Sequence, residues 1–354
     1  MSVNRSLISP THNPQLEQAL REKIEQRGET GGSVGQLEAL ALRLALIQNT
    51  LKPRFSAPQM LLFAADHGLA VDGVCRREGR STSQQLQGVL DGRVALTAFA
   101  RIHGMELTLV DAGVAEAVAP HARLLSRKIA HGTRNARVSS AMSLDQAHAA
   151  IRAGMEIADA LPGNAIACAG FGVGSHESAA LVLSRLSEIE LADLLVAGPD
   201  DRREEFAQLL LVLQGAQARH RELTDPVEVL AAFGGFELAM MVGVMLVAGS
   251  KRSLIIVDGM AACAALMVAW RIAPAVTDYC VYARSHSHEG LGEALALFDA
   301  AGLLDVGLET GDGTGAALAW PLLRSAAALL TDVVDADGPG LERLLPESEG
   351  MVRL

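Results

Sequence analysis

"MLLFAADHG", residues 60–68, is an apolar run of strand length that stops on an acid and then turns at His67 and Gly68. The run is continuously apolar and does not alternate, which suits a strand covered on both faces. "ELTLVDAG" (106–113), "AIACAGFGVG" (165–174), "SLIIVDG" (253–259) and "DYCVYAR" (278–284) follow the same plan. Between them lie segments of helical length and period: 81–104, 145–161, 204–223, 236–249 and 260–273. Such alternation predicts an α/β fold, a parallel sheet covered by helices on both faces. Ligands of such sheets bind beyond the carboxyl ends of the strands. That directs attention to Asp66, Asp111, Asp258 and the glycine turn 170–174.

Outside the alternating region, the opening "MSVNRSLISPTHNP" is polar, and two helical segments (15–28 and 35–50) precede any strand. The expected division is an arm with accessory helices over 1–50, the α/β domain over 51–334 and a tail over 335–354. The chain has 354 residues, half of them hydrophobic, but only 3 % aromatic, so its core must be built from small aliphatic side chains. The net charge of −11 argues against a nucleic-acid or anionic-membrane surface. The apolar stretch 238–249 is too short to span a bilayer and reads as a buried helix. Cys75, Cys168, Cys263 and Cys280 form no CxxC pair, so neither a zinc site nor a disulfide framework is expected, and a cytoplasmic location is.

Several residues stand where chemistry is done in such folds. Gly172 and Gly174 open backbone N–H groups toward a helix start at Ser175, which reads either as a phosphate cradle or as a tight strand-to-helix turn. Asp66 and His67 read as a site pair or as a hydrogen-bonded turn. "RSHSHEG" (284–290) offers imidazoles, but His286 and His288 at i, i+2 form a poor metal pair, and a polar loop is the better reading. "KIAHGTRNAR" (128–137) reads as an anion site or as a surface loop. In "LETGDGTGAALAWPLL" (308–323), Asp312 sits between Gly311 and Gly313 at a helix start, as a turn residue or as a base held in a glycine loop.

Seven stretches in order carry a resemblance: 31–48, "FAADHGLAVDGV", "LVDAGV", "IAHGTRNAR" with 141–158, "AFGGFELAMMVGVML", 255–279 and "GDGTGAALAWPLLRSAAALL". Together they resemble the nicotinate-nucleotide:dimethylbenzimidazole phosphoribosyltransferase family over nearly the whole chain. The resemblance implies a Rossmann-like sheet, a small helical domain from the chain ends, a homodimer and no metal or cofactor. It implies attack by a benzimidazole nitrogen on the ribose C1′ of nicotinate mononucleotide in cobalamin lower-ligand assembly. The family's base is a glutamate in a "GEGTGA" loop, and Asp312 takes that position. Gln84 and Ser287 match pocket positions. With Asp66, His67, Gly172, Gly174, Ser175, Gly311 and Gly313 they complete the expected substrate-binding set.

The same comparison shows departures. Aspartate for glutamate withdraws the carboxylate by about 1.5 Å. The family's "GEMGIGNTT" becomes "AGFGVGSHE" (169–177), so Gly170 replaces a glutamate, and Ser175, His176 and Glu177 replace Asn-Thr-Thr. Leu209 falls where a phosphate-binding lysine is expected, "GTGLDD" shortens to "GPDD" (198–201), and "SAYP" becomes Cys75, Arg76, Arg77 and Glu78. Two readings follow. One is an active phosphoribosyltransferase, with Arg76, Arg77 or Arg202 taking over the phosphate. The other is a non-catalytic homologue that binds a nucleotide or base, or partners an active paralogue. The glycine- and methionine-rich helices around 234–273 are the expected dimer contact.

Overall fold

The computed structural model describes residues 8–74, 79–195 and 203–333. Six strands form one sheet: β1 (Gln59–Ala65), β2 (Glu106–Gly113), β3 (Leu124–Ser126), β4 (Ala165–Phe171), β5 (Leu254–Asp258) and β6 (Cys280–Ala283). The spatial order is β3-β2-β1-β4-β5-β6, and every pairing is parallel. β1 and β5 are buried at every residue, as continuous apolar runs require. The short edge strand β3 was not legible in the sequence. It takes its place from β2, with which it shares three register pairs.

Thirteen helices are described: α1 (Pro14–Gly31), α2 (Gln36–Gln48), α3 (Thr82–Leu90), α4 (Ala95–Ile102), α5 (Leu144–Ala160), α6 (Ser175–Leu186), α7 (Leu191–Leu194), α8 (Arg203–Arg219), α9 (Pro226–Phe233), α10 (Phe236–Ser250), α11 (Met260–Ile272), α12 (Glu289–Ala296) and α13 (Thr314–Thr331). The helical reading of 81–104 becomes two helices, because α3 ends at Asp91 and Gly92 takes a left-handed φ of 73°. The first helix runs past Gly28 to Gly31. α9 starts on an Asp225 side chain that accepts from the Val227 and Glu228 amides, with Pro226 in the first turn, a start signal present in "TDPVEV".

α10 lies on β1, β2, β4 and β5, and α5 packs over α10. The two helices meet at backbone distance. A Cβ on Gly154 would stand 1.9 Å from the Met240 carbonyl oxygen, and one on Gly243 would stand 2.0 Å from that of Ile151. This close approach is why so few aromatic residues suffice. It also corrects the expected dimer contact. Met240, Met241 and Met245 are fully buried within the chain itself, and α11 is buried from Met260 to Ala269, so these helices offer no face to a second copy.

The chain divides into two compact units. One holds residues 1–10 and 55–320, including the whole sheet, and the other holds 11–54 and 321–354. In the second unit α1 packs on α2, and α2 closes on Asn49 in the left-handed conformation. Arg27 reaches the Val333 carbonyl at 2.6 Å.

Candidate active site

The strand order places a topological switch point between β1 and β4, where open parallel sheets hold their ligands. Two of the sequence-predicted groups meet there. The His67 amide donates to the Val173 carbonyl at 3.1 Å. Gly172 has φ 159°, and a Cβ there would lie 1.7 Å from the Ala65 oxygen, so the turn closes on the end of β1 only with glycine. Gly174 is left-handed at φ 90°, and its Cβ position is 2.8 Å from that of His67. α6 then begins at Ser175, whose amide donates to the Gly172 carbonyl at 3.1 Å.

Asp66 is a structural hub. Its Oδ1 accepts from Thr82 Oγ1 at 2.5 Å and its Oδ2 from the Ala115 amide at 2.7 Å, while its carbonyl accepts from Thr133 N at 3.0 Å. Thr82 Oγ1 in turn accepts from Val173 N at 2.9 Å, which ties the start of α3 to the β4 turn. Gln84 is exposed. Its side chain accepts from Ser81 N while its own amide donates to Ser81 Oγ, completing a capping box.

Beneath the turn lies a buried polar group that the sequence reading did not assemble. His67 Nε2 is 2.7 Å from Glu237 Oε1, and Ser175 Oγ donates to the same oxygen at 2.9 Å. The side chains of His67 and Glu237 are fully inaccessible. Burial, the largest single influence, lowers the proton affinity of His67. The charge and hydrogen bond of Glu237, helped by Glu177 and Asp66, raise it, and the net direction is up. "ADHG" and "GGFE" thus join through their polar residues, although 170 positions separate His67 from Glu237.

The second group gathers at β5 and β6. Asp258 ends β5 fully buried. Its Oδ1 accepts from Ser285 N at 2.9 Å, and its Oδ2 accepts from Ser285 Oγ at 2.5 Å and from Ala316 N at 2.7 Å. Ser285 Oγ accepts from Gly315 N at 2.7 Å, so Asp258 and Ser285 together satisfy two orphan amides of α13. The Ser285 carbonyl also takes the Thr310 and Gly311 amides. Burial pushes the Asp258 carboxyl up to about 6, against its hydrogen bonds and with Asp312 adding to the rise. Asp258→Asn would turn an N–H toward one of these donors. It is expected to cost about 1–3 kcal/mol of stability, read by urea unfolding.

Asp312 is half-buried in the loop so anchored. Its Oδ1 accepts from Thr314 N at 3.1 Å and Thr314 Oγ1 at 2.5 Å, and its Oδ2 has no hydrogen-bond partner among the described residues. Gly311 and Gly313 are both left-handed, at φ 64° and 87°. A Cβ on Gly313 would meet Met60 Cε at 2.1 Å and Ala169 Cβ at 3.0 Å, so the loop presses onto side chains of β1 and β4. Ser287 is exposed, and its carbonyl accepts from Arg284 Nη2 at 2.9 Å. No hydrogen bond joins Asp312 to Asp66 or Gln84 among the described residues. The ring of His176, next to Ser175, meets that of His288 edge-on at 5.0 Å.

The imidazoles of 284–290 are committed to the loop. His286 Nδ1 accepts from His288 N and His288 Nδ1 from Leu291 N, which leaves each neutral ring an Nε2–H rather than a free lone pair. Burial drives His176 down to about 4, and burial with the neighbouring imidazoles drives His288 down to about 3. No cluster of three His, Cys, Asp or Glu side chains among the described residues has metal-binding geometry. Gly170 faces Met241 Cε, 2.8 Å from its Cβ position, so a larger side chain there would have to displace that methionine. Leu209 is half-buried on α8. Cys75–Glu78, 198–201 and Arg202 lie outside the described residues. Thr82, Glu237 and Ser285 went unpredicted. Only Glu237 carried a signal, as an acid inside an otherwise apolar helix.

A parallel sheet with its switch point walled by glycine turns, and a carboxylate held in a further glycine loop, fits a transferase of phosphorylated sugars. A family model described as phosphoribosyltransferase matches residues 9–339. The chain is 42 % identical over 340 residues to a nicotinate-nucleotide–dimethylbenzimidazole phosphoribosyltransferase of Cupriavidus taiwanensis, covering 94 % of this chain and 98 % of the relative. It is 38 % identical to that of Variovorax paradoxus, over 95 % and 96 % of the two chains. The crystal structure of the Thermus thermophilus enzyme of that name superposes with a TM-score of 0.81 at 30 % identity, covering 90 % of this chain and 96 % of the other. The chain belongs to the nicotinate-nucleotide–dimethylbenzimidazole phosphoribosyltransferase family.

Proposed function

We propose that the protein transfers the phosphoribosyl group of nicotinate mononucleotide to 5,6-dimethylbenzimidazole or a related base, giving α-ribazole 5′-phosphate and nicotinate. The ring nitrogen of the base attacks C1′, and the bond from C1′ to the pyridinium nitrogen breaks. Its electron pair leaves with nicotinate, and the N–H proton of the base passes to Asp312. The step balances without a metal or redox cofactor. The observation that carries this reading is the division of labour within Asp312: Oδ1 is fixed by Thr314, while Oδ2 remains available to take a proton. Asp258 and Ser285 act as positioning residues by holding the loop from below. The 5′-phosphate is assigned to the Gly172–Ser175 turn, at the start of α6. The base is assigned to the space bounded by Asp66, His67, Gln84 and Ser287. A cytoplasmic homodimer is part of the proposal, with its contact away from α10 and α11. No helix among the described residues is long and apolar enough to cross a membrane.

The test is direct. Purified protein is mixed with nicotinate mononucleotide and a set of benzimidazoles, and free nicotinate is measured. Release that depends on the added base is the expected result, and no release with any base offered refutes the reaction.

A further inference from the structure

Helix α5 and the segment that follows β3 border a shallow, open groove of about 460 Å³, whose lining includes Ser126, Arg127, Lys128, Ile129, Arg152 and Glu156. It lies at the outer edge of the sheet, beyond β2 and β3. The carboxylates and glycine turns of the proposed reaction centre stand instead at β1, β4, β5 and β6. We infer that this groove is a second binding site, built for a small phosphate-bearing anion.

The walls are held before any ligand arrives. Arg127 N donates to the Asp111 carbonyl at 2.9 Å and Ile129 N to that of Ala112 at 3.0 Å, so this segment runs as a pinned extension along β2. The opposite wall is a 17-residue helix with a complete capping box from Ser143 and Gln146. Lys128 Nζ is fixed by the Val114 carbonyl at 2.7 Å and by Asp111 Oδ2 at 3.2 Å. The two arginines differ from it. Both are exposed, and neither side chain makes a hydrogen bond or ion pair with any described residue. Arg152 and Glu156 stand at the i, i+4 spacing that favours an ion pair, yet none is formed.

Three cations against one carboxylate is a local excess that runs counter to the chain's net charge of −11. Asp111 already offsets Lys128, so the free positive charge resides on the guanidinium groups. A guanidinium is a planar fork of donors that matches the oxygens of phosphate in pairs. The loop that receives Lys128 also presents Ala115 N to Asp66 Oδ2, so an occupant lies one loop away from the reaction centre.

The experiment is calorimetric titration of the full chain with inorganic pyrophosphate at fixed ionic strength. Saturable binding of one equivalent is expected. Arg127→Ser and Arg152→Ser should each weaken it by about 10- to 100-fold, the worth of a charged hydrogen bond, and both lie on the surface where folding does not depend on them. Glu156→Gln should tighten it. Asp312→Asn should leave it unchanged. Absence of saturable binding at millimolar pyrophosphate overturns the inference. So does affinity unaffected by either arginine change. The outcome is independent of the proposed reaction, because a protein that releases no nicotinate can still bind in the groove.

Discussion

Asp312→Asn should lower base-dependent nicotinate release by about 10²–10⁴-fold, the usual worth of a general base. The structure makes this substitution a clean one. Asp312 has two duties on two oxygens: Oδ1 caps the start of α13, and Oδ2 is free among the described residues. An asparagine can keep its oxygen on Thr314 N and Thr314 Oγ1, so the cap and the fold survive while the proton acceptor is lost. Unfolding midpoints of the two proteins should agree closely, and a variant that turns over at the wild-type rate would sink the assignment. Asp312→Glu separates reach from basicity. The longer side chain gains about 1.5 Å toward the ligand but no longer caps Thr314 in the same geometry. Gly311 leaves room, since nothing lies within 4 Å of its Cβ position, whereas Gly313 is closed in by Met60. Glutamate at 312 should therefore keep turnover and lose part of the capping contribution, about 1 kcal/mol. A loss of both turnover and stability would mean that the loop is built around the shorter acid.

The fold was legible because its signals are local. Most buried strands are continuous apolar runs that stop at Asp or Gly, and the crossover helices fill the segments of helical length between them. What failed depended on neighbours. β3 is a three-residue edge strand whose place is set by β2, and α3 and α4 are separated by a single left-handed Gly92 inside one amphipathic pattern. The dimer contact was misplaced for a related reason. Small residues and methionines on α10 serve close packing on α5 equally well, and composition does not distinguish an internal from an external partner. At the candidate site, residues that belong to a glycine loop or a strand end were visible. Ser285 and Thr82 were not, because each has its role from a contact made across the sheet: Ser285 with Asp258 and Gly315, Thr82 with Asp66 and Val173.

Glu237→Ala is expected to be the most damaging single change to stability, about 3–5 kcal/mol, because it strips the partner from a buried charged group. Its carboxylate holds both His67 and Ser175, and the side chains of His67 and Glu237 cannot turn to water. Glu237→Gln keeps the shape and lets an amide oxygen accept from both, so its loss should be much smaller. The pair also predicts a pH dependence whose sign is fixed. His67 holds its proton more firmly folded than unfolded, so its contribution is fully present below the unfolded value of about 6.5 and is lost as pH rises through the folded value. Asp258, raised to about 6, acts in the same direction, but its effect is complete at lower pH. Urea unfolding at about pH 6 and about pH 9 should therefore show wild type losing more stability across the interval than Glu237→Gln, in which the imidazole has lost its hydrogen-bonded carboxylate and keeps only the weaker pull of Glu177 and Asp66. Equal losses in the two proteins would show that His67 is neutral in the folded state and that the buried pair is held by hydrogen bonding alone.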